Sequence, residues 1–181
     1  MEEEKQRYIV TKGDQSSYLK CEEINEKNEL VERLRAKRSF RYIRIFDENE
    51  EEILHAKRVS WFFQKWLFFE RKELVGNIKF RIYFSFTAMC SDDNPRRIFF
   101  KDSFFLMTIH PRNIISFQDE SGNEVFYIKS AEDMLNDIHY FRRKNRYWTM
   151  FVNPSYNPAF ALLITTIFNL RRNQVTRCTN C

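Results

Sequence analysis

From Asn77 to Phe86 the chain alternates without a break. Ile78, Phe80, Ile82, Phe84 and Phe86 are apolar, and Lys79, Arg81, Tyr83 and Ser85 stand between them. Successive side chains of an extended strand point to opposite faces, so this run commits the chain to a sheet with one face on a core. Phe40-Arg-Tyr-Ile-Arg-Ile-Phe46 alternates in the same way. Further strands are expected over Arg97–Lys101, Phe104–Ile109, Asn113–Gln118, Glu124–Lys129 and Tyr147–Val152. The turn chemistry of Ser91-Asp-Asp-Asn-Pro95 and Asp119-Glu-Ser-Gly122 joins such strands tightly, which makes neighbours antiparallel.

Two segments read as helices. Asp47 or Asn49 suits an N-cap, and Glu50, Glu51 and Glu52 suit the first turn. A stripe of Ile53, Ala56, Phe63, Trp66 and Leu67 follows, with Gly76 as its C-cap. Near the C-terminus, Asn157 caps and Pro158 fits the first turn. Phe160, Leu163, Ile164, Ile167 and Phe168 then lie at i, i+3, i+4, i+7 and i+8, one continuous apolar face. Arg171 and Arg172 complement the dipole at its far end.

Before these elements, Tyr8–Thr11 and Ser17–Lys20 flank Lys12-Gly-Asp-Gln15 as a small hairpin. Ile24, Leu30, Val31 and Leu34 space a thin helix over Glu22–Lys37. The expected fold class is α+β: a mostly antiparallel sheet over residues 38–172, closed by a C-terminal amphipathic helix. Residues 1–37 are expected to be a polar N-terminal extension and 173–181 a tail.

The chain is 181 residues long and 43% hydrophobic, enough for one domain with a real core. No apolar run reaches the roughly 20 residues of a membrane span. The acidic start, Met1-Glu-Glu-Glu-Lys5, is not a secretory signal. Cys21, Cys90, Cys178 and Cys181 form no regular framework, so a reduced, cytoplasmic protein is expected. The charge of +5 mixes both signs along the chain.

Catalytic motifs do not emerge. His55, His110 and His139 sit in no nucleophile or metal pattern, and no glycine-rich phosphate loop is present. Cys178-Thr-Asn-Cys181 has no second pair with zinc-like spacing. Asn153-Pro-Ser-Tyr156 is turn chemistry directly before a capped helix. No catalytic residue, metal or cofactor is expected, and the chain reads as a non-enzyme.

The order of elements resembles the phosphotyrosine-binding (PTB) domain of the tensin type, within the pleckstrin-homology-like superfold. The matching stretches are Tyr42–Asp47, Ile82–Thr87, Ile98–Asp102, His110–Phe117, Trp148–Asn153 and Asn157–Phe160. The resemblance implies a partly open barrel or sandwich. It also implies that a peptide adds as a strand to the edge formed by Arg112, Asn113, Ile114, Ile115, Ser116 and Phe117. The final helix, through Phe160, Ile164 and Phe168, walls the groove. Backbone pairing would give affinity and side-chain pockets specificity. Tensin-type members often carry arginines where Met107 and Thr108 stand here. Neither can meet a phosphate with a charge-assisted bond, so recognition is expected to be phosphate-independent.

The functional expectation is an intracellular adaptor that binds a linear segment of a protein partner. The alternatives are a nucleic-acid-binding protein and a scaffold subunit of a homo-oligomer or larger complex. In Phe141–Trp148, Arg142, Arg143, Lys144 and Arg146 interleave with aromatics as a candidate anion-binding segment, for nucleic acid or phosphoinositide head groups.

Overall fold

The computed structural model describes residues 5–13, 17–59, 65–79, 96–110, 114–130 and 148–178. Twelve strands follow one another around a closed barrel. They are β1 (Gln6–Lys12), β2 (Tyr18–Ile24), β3 (Leu30–Arg38), β4 (Tyr42–Phe46), β5 (Glu52–Arg58) and β6 (Lys65–Glu70). The circuit continues through β7 (Glu73–Lys79), β8 (Arg96–Phe100), β9 (Ser103–His110), β10 (Ile114–Gln118), β11 (Glu124–Ser130) and β12 (Trp148–Val152). Neighbours are antiparallel throughout, and β1 closes on β12 with Gln6 opposite Val152 and Val10 opposite Trp148. One helix, α1 (Pro158–Cys178), follows.

This corrects the expected fold class. The sheet is neither a sandwich nor a partly open, pleckstrin-like barrel: it has closed on itself. Closure removes the unpaired edge to which a peptide was expected to add. The helix has a different task. About eight strands already enclose as much space as wall side chains can fill, and a wider barrel leaves a cavity. With its side chains a helix is about 10–12 Å across. Here α1 occupies the space that twelve strands leave, and Ala159, Phe160, Ala161, Leu162, Leu163, Ile164, Ile167 and Phe168 are all buried.

The burial goes all round α1. Thr165 and Thr166 are fully buried too, and each hydroxyl donates to the carbonyl four residues back, to Ala161 at 2.7 Å and Leu162 at 2.8 Å. A helix apolar on every side belongs in an interior, so the single apolar face expected for Phe160–Phe168 was too narrow a description. Phe160 sits among Phe68, Phe100, Phe105 and Phe126, stacked on Phe100 at 4.1 Å between ring centres. The helix starts as expected: the Ala159 amide donates to Asn157 Oδ1 at 2.8 Å. Asn153-Pro-Ser-Tyr156 is the turn before it, with the Ser155 amide on Asn153 Oδ1 at 3.0 Å.

Three hairpin turns at one rim share a single design. Asn25, Asp47 and Asp119 each accept, on Oδ1, the amides two and four residues ahead, at 2.8–3.0 Å. The fourth residue of each turn is left-handed: Asn28, Glu50 and Gly122 have φ of 60°, 62° and 84°. A register shift lies in the adjoining strands each time. Such a bulged turn is the usual solution for a three-residue hairpin loop.

Asp47 therefore caps a hairpin, not a helix. The helix expected from there to Gly76 is β5, β6 and β7. Inside it, Leu54 and Ala56 alternate inward on β5, and Trp66 and Phe68 on β6. The apparent helical stripe combined residues of two separate strands; Phe63 lies outside the described residues. Gly76 is a strand residue where two backbones nearly touch. A Cβ there would stand 2.1 Å from the Phe99 carbonyl oxygen. The helix expected over Glu22–Lys37 is the end of β2, a turn and β3, with Leu34 and Ala36 facing inward. The hairpin expected around Lys12–Gln15 is β1 with β2. Of the alternating run that began at Asn77, Ile78 is buried and Lys79 exposed; residues 80–86 lie outside the described residues.

Candidate functional site: a basic and aromatic wall

The expected peptide groove does not assemble. β10 is hydrogen-bonded to β9 on one side and β11 on the other, so it offers no edge to a further strand. Ile115, Ser116 and Phe117 are buried, and Phe117 stacks on Phe126 at 4.1 Å. Ile114 is half-buried. Phe160, Ile164 and Phe168 lie inside the barrel, where no partner reaches them. Met107 is an interior residue opposite Phe117, which explains an apolar side chain there. Arg112, Asn113, Arg142, Arg143, Lys144 and Arg146 lie outside the described residues.

A different cluster forms on the outer wall of β2–β5. Alternation sends Ile43, Ile45, Ala36 and Ala56 inward and leaves Lys37, Tyr42, Arg44 and Lys57 exposed. The ladder sets Tyr18 opposite Lys37, Lys37 opposite Arg44, and Tyr42 opposite Lys57. Like charges directly opposite repel, so Lys37 and Arg44 concentrate positive charge here. The cations lie over rings: Lys37 Nζ is 5.3 Å from the Tyr18 ring centre, Lys57 Nζ 6.0 Å from Tyr42, and Arg58 Cζ 5.4 Å from Phe40.

The turn between β3 and β4 completes the cluster. The Ser39 amide donates to the Tyr42 carbonyl at 2.7 Å, and the Tyr42 amide donates back to Ser39 Oγ at 3.1 Å. This pins the turn and leaves Phe40 49% exposed at its apex. Phe40, Arg41, Tyr42, Lys57, Arg58 and Val59 line a cleft of about 450 Å³. A neighbouring cleft of about 260 Å³ lies lower on the wall, with Lys37 and Arg44 among its lining residues.

Carboxylates balance only the lower part. Arg35 pairs with Glu32 at 2.7 Å and Glu50 at 3.2 Å, and Arg44 with Glu52 at 3.5 Å. Among the described residues, no carboxylate lies within 4.0 Å of Lys37, Arg41 or Lys57. Burial pulls the guanidiniums of Arg38 and Arg58 below the usual arginine range, yet arginine keeps its charge at neutral pH. The wall can therefore hold an anion and lay an apolar or planar group beside it.

Sequence reasoning overlooked this cluster. Its signal was present, since Lys37-Arg-Ser-Phe-Arg-Tyr42 interleaves basic and aromatic residues as Phe141–Trp148 does. The second half of the site, Lys57–Val59, was hidden inside the mistaken helix. No family model, curated protein or solved structure matches the chain.

Among the described residues, no helix is long and apolar enough to cross a membrane. The barrel's outward positions at Lys37, Arg44 and Lys57 are charged and its interior is apolar.

Proposed function

We propose that the chain is a non-catalytic, cytoplasmic binding module that captures an acidic linear segment of a protein partner. Capture is by side chains of the outer wall, and no strand is added to the sheet. The observation that carries this reading is the cleft at Phe40–Val59. There, Arg41 and Lys57 lack a carboxylate partner among the described residues, and Phe40, Tyr42 and Val59 are exposed beside them. An extended segment presents alternate side chains about 6.6 Å apart on one face. A segment whose every second residue is by turns a carboxylate and an apolar group would set both on that face and meet cations and rings in turn. Complementary charge speeds encounter and suppresses wrong partners.

The test is fluorescence anisotropy at low salt with a labelled peptide repeating Glu-Ser-Leu-Ser, which sets glutamate and leucine by turns on one face. The doubly reversed variant Lys37→Glu, Lys57→Glu should bind it at least tenfold more weakly than the wild type. Equal affinity of the two proteins would overturn the reading. So would binding confined to single-stranded polyuridylate, with the steep salt dependence of phosphate contacts, or to phosphatidylserine vesicles.

A further inference from the structure

A second group of rings and cations stands on the wall of β11, β12 and β1. Phe126, Ile128, Met150, Val152 and Tyr8 of these strands face the core, so alternation turns Tyr127, Lys129, Phe151 and Arg7 outward. The ladder sets Phe151 between Tyr127 on β11 and Arg7 on β1. The two rings are stacked, with 4.5 Å between centres and 13° between planes. Cations crowd them. Arg7 Cζ lies 5.9 Å from the Phe151 centre, and Lys129 Nζ lies 5.5 Å from Phe151 and 5.2 Å from Tyr127. Lys5 Nζ, 5.0 Å from the Tyr127 centre, is held by Glu124.

Arg7 is the anomaly in this group. Its Nε and Nη2 are shut off from water and meet no acceptor. A shielded charged donor without a partner costs free energy, and native chains leave few such groups. Among the described residues, no carboxylate lies within 4.0 Å of Arg7 or Lys129. A ring face attracts a cation but does not neutralise it. The Arg7 charge is felt next door: burial, helped by Glu124, pushes the Tyr127 phenol up in pKa, and Arg7 opposes that shift.

The identity of the two orphaned nitrogens matters. Nε–H and Nη2–H point the same way along one edge of the guanidinium, and that edge can grip two oxygens of a single oxyanion in parallel. Lys129 adds a compact charge from the neighbouring strand pair. Two cations without counter-ions match a dianion better than a single carboxylate. A phosphate monoester carries about −1.5 to −2 charges at neutral pH. Arg7, Lys129, Tyr127 and Phe151 are half-buried, not sealed, and the long arginine stem lets its edge turn outward to meet an anion.

We propose that Arg7 and Lys129 hold the phosphate group of a small soluble phosphate monoester beside the Tyr127–Phe151 stack. Arg7 takes two phosphate oxygens through Nε and Nη2, and Lys129 neutralises the remaining charge. The rings exclude water from one side, which strengthens both contacts. The site shares no residue with the wall of β2–β5 and does not rest on the reading given for that wall.

The test is isothermal titration calorimetry of the full chain with glycerol 3-phosphate and with inorganic phosphate, at constant ionic strength. Both should bind saturably. Arg7→Lys keeps the charge but loses the parallel fork, and should bind about tenfold more weakly. Arg7→Met should not bind. It removes an unpartnered charge at similar volume, so without ligand it should melt at the wild-type temperature or above. Glycerol 3-phosphate should raise the melting temperature of the wild type and leave that of Arg7→Met unchanged. A wild type with no saturable heat would overturn the proposal, as would equal affinity of the wild type and Arg7→Met. Arg7→Met melting well below the wild type would also overturn it, because Arg7 would then have a structural partner. Acetate binding as tightly as phosphate would show that one carboxylate suffices and would sink the dianion. So would binding to phosphatidic acid vesicles without binding to glycerol 3-phosphate, which would make the ligand a membrane. Arg7→Met keeps the wall of β2–β5 and should bind the Glu-Ser-Leu-Ser peptide as the wild type does, so the two readings fail separately.

Discussion

Tyr8 is an ionisable residue set into the barrel wall, 4% exposed, with its hydroxyl donating to Gln6 Oε1 at 3.0 Å. Burial, with help from the Glu23 charge, pushes its pKa up from 10.0 to about 12. Below pH 10 the phenol is protonated in folded and unfolded chains alike, and its contribution is complete. From pH 10 to about 12 only the unfolded chain gains by losing the proton, so stability falls as pH rises through that window. A tenfold change in acidity corresponds to about 1.4 kcal/mol, so the move from 10.0 to about 12 bounds the whole loss at about 3 kcal/mol. Denaturant titrations at pH 9, 10 and 11 should show the midpoint dropping for the wild type and dropping less for Tyr8→Phe. Identical pH dependence in both proteins would remove Tyr8 as the cause. Asp119 has the opposite sign. Burial pushes its carboxyl up, but bonds from Asn123, Tyr156 and Ser121 hold it below the usual range. Its contribution is present above the unfolded value and is lost as pH falls through the folded one.

Among the elements, α1 fills the barrel and starts where the sequence said it would. Asn157 and Pro158 were legible because capping is local chemistry. The stretch Phe160–Phe168 was also legible as apolar, but only as a single stripe, although no charge interrupts its other faces. Truncating Phe160 tests the filling role. Its ring lies among four phenylalanines from β6, β8, β9 and β11, and the closed wall has little room to collapse. Phe160→Ala should therefore cost about 3–5 kcal/mol, as large aromatic truncations in rigid cores do. Phe160→Leu should cost less, because it restores most of the volume. Chemical denaturation of the three proteins measures both values, and a loss under about 1 kcal/mol for the alanine variant would place the ring outside the core. The turns behave differently. Asn25, Asp47 and Asp119 accept the same pair of backbone amides, yet Asp47 precedes Glu50-Glu-Glu52 and so imitates a helix start. What decides between the two lies in the strands on either side.

Across the whole molecule, local patterns specified the strands from β8 onward, took β3, β5, β6 and β7 for helices, and did not report the closure. The antiparallel order from β8 to β11 followed from short turns and alternation. The joining of β1 to β12 pairs Gln6 with Val152, and no signal near either residue reports a partner so distant in sequence. Without that seam, residues 1–37 read as an appendage too poor in apolar residues to fold alone. In the barrel they are β1, β2 and nearly all of β3, and Tyr8, Val10, Leu19, Cys21, Leu34 and Ala36 line the shared core. A chain cut to residues 38–172 would leave β4 and β12 with bare edges and uncover α1 along the side that β3 now covers. Open edges and exposed apolar surface favour aggregation. The shortened chain should therefore be insoluble, or compact without cooperative thermal unfolding, while the full chain melts in one transition. A soluble 38–172 fragment with a sharp calorimetric transition would show that the barrel folds without its first three strands. It would then follow that the seam between β1 and β12 is a late addition to a sheet already stable by itself.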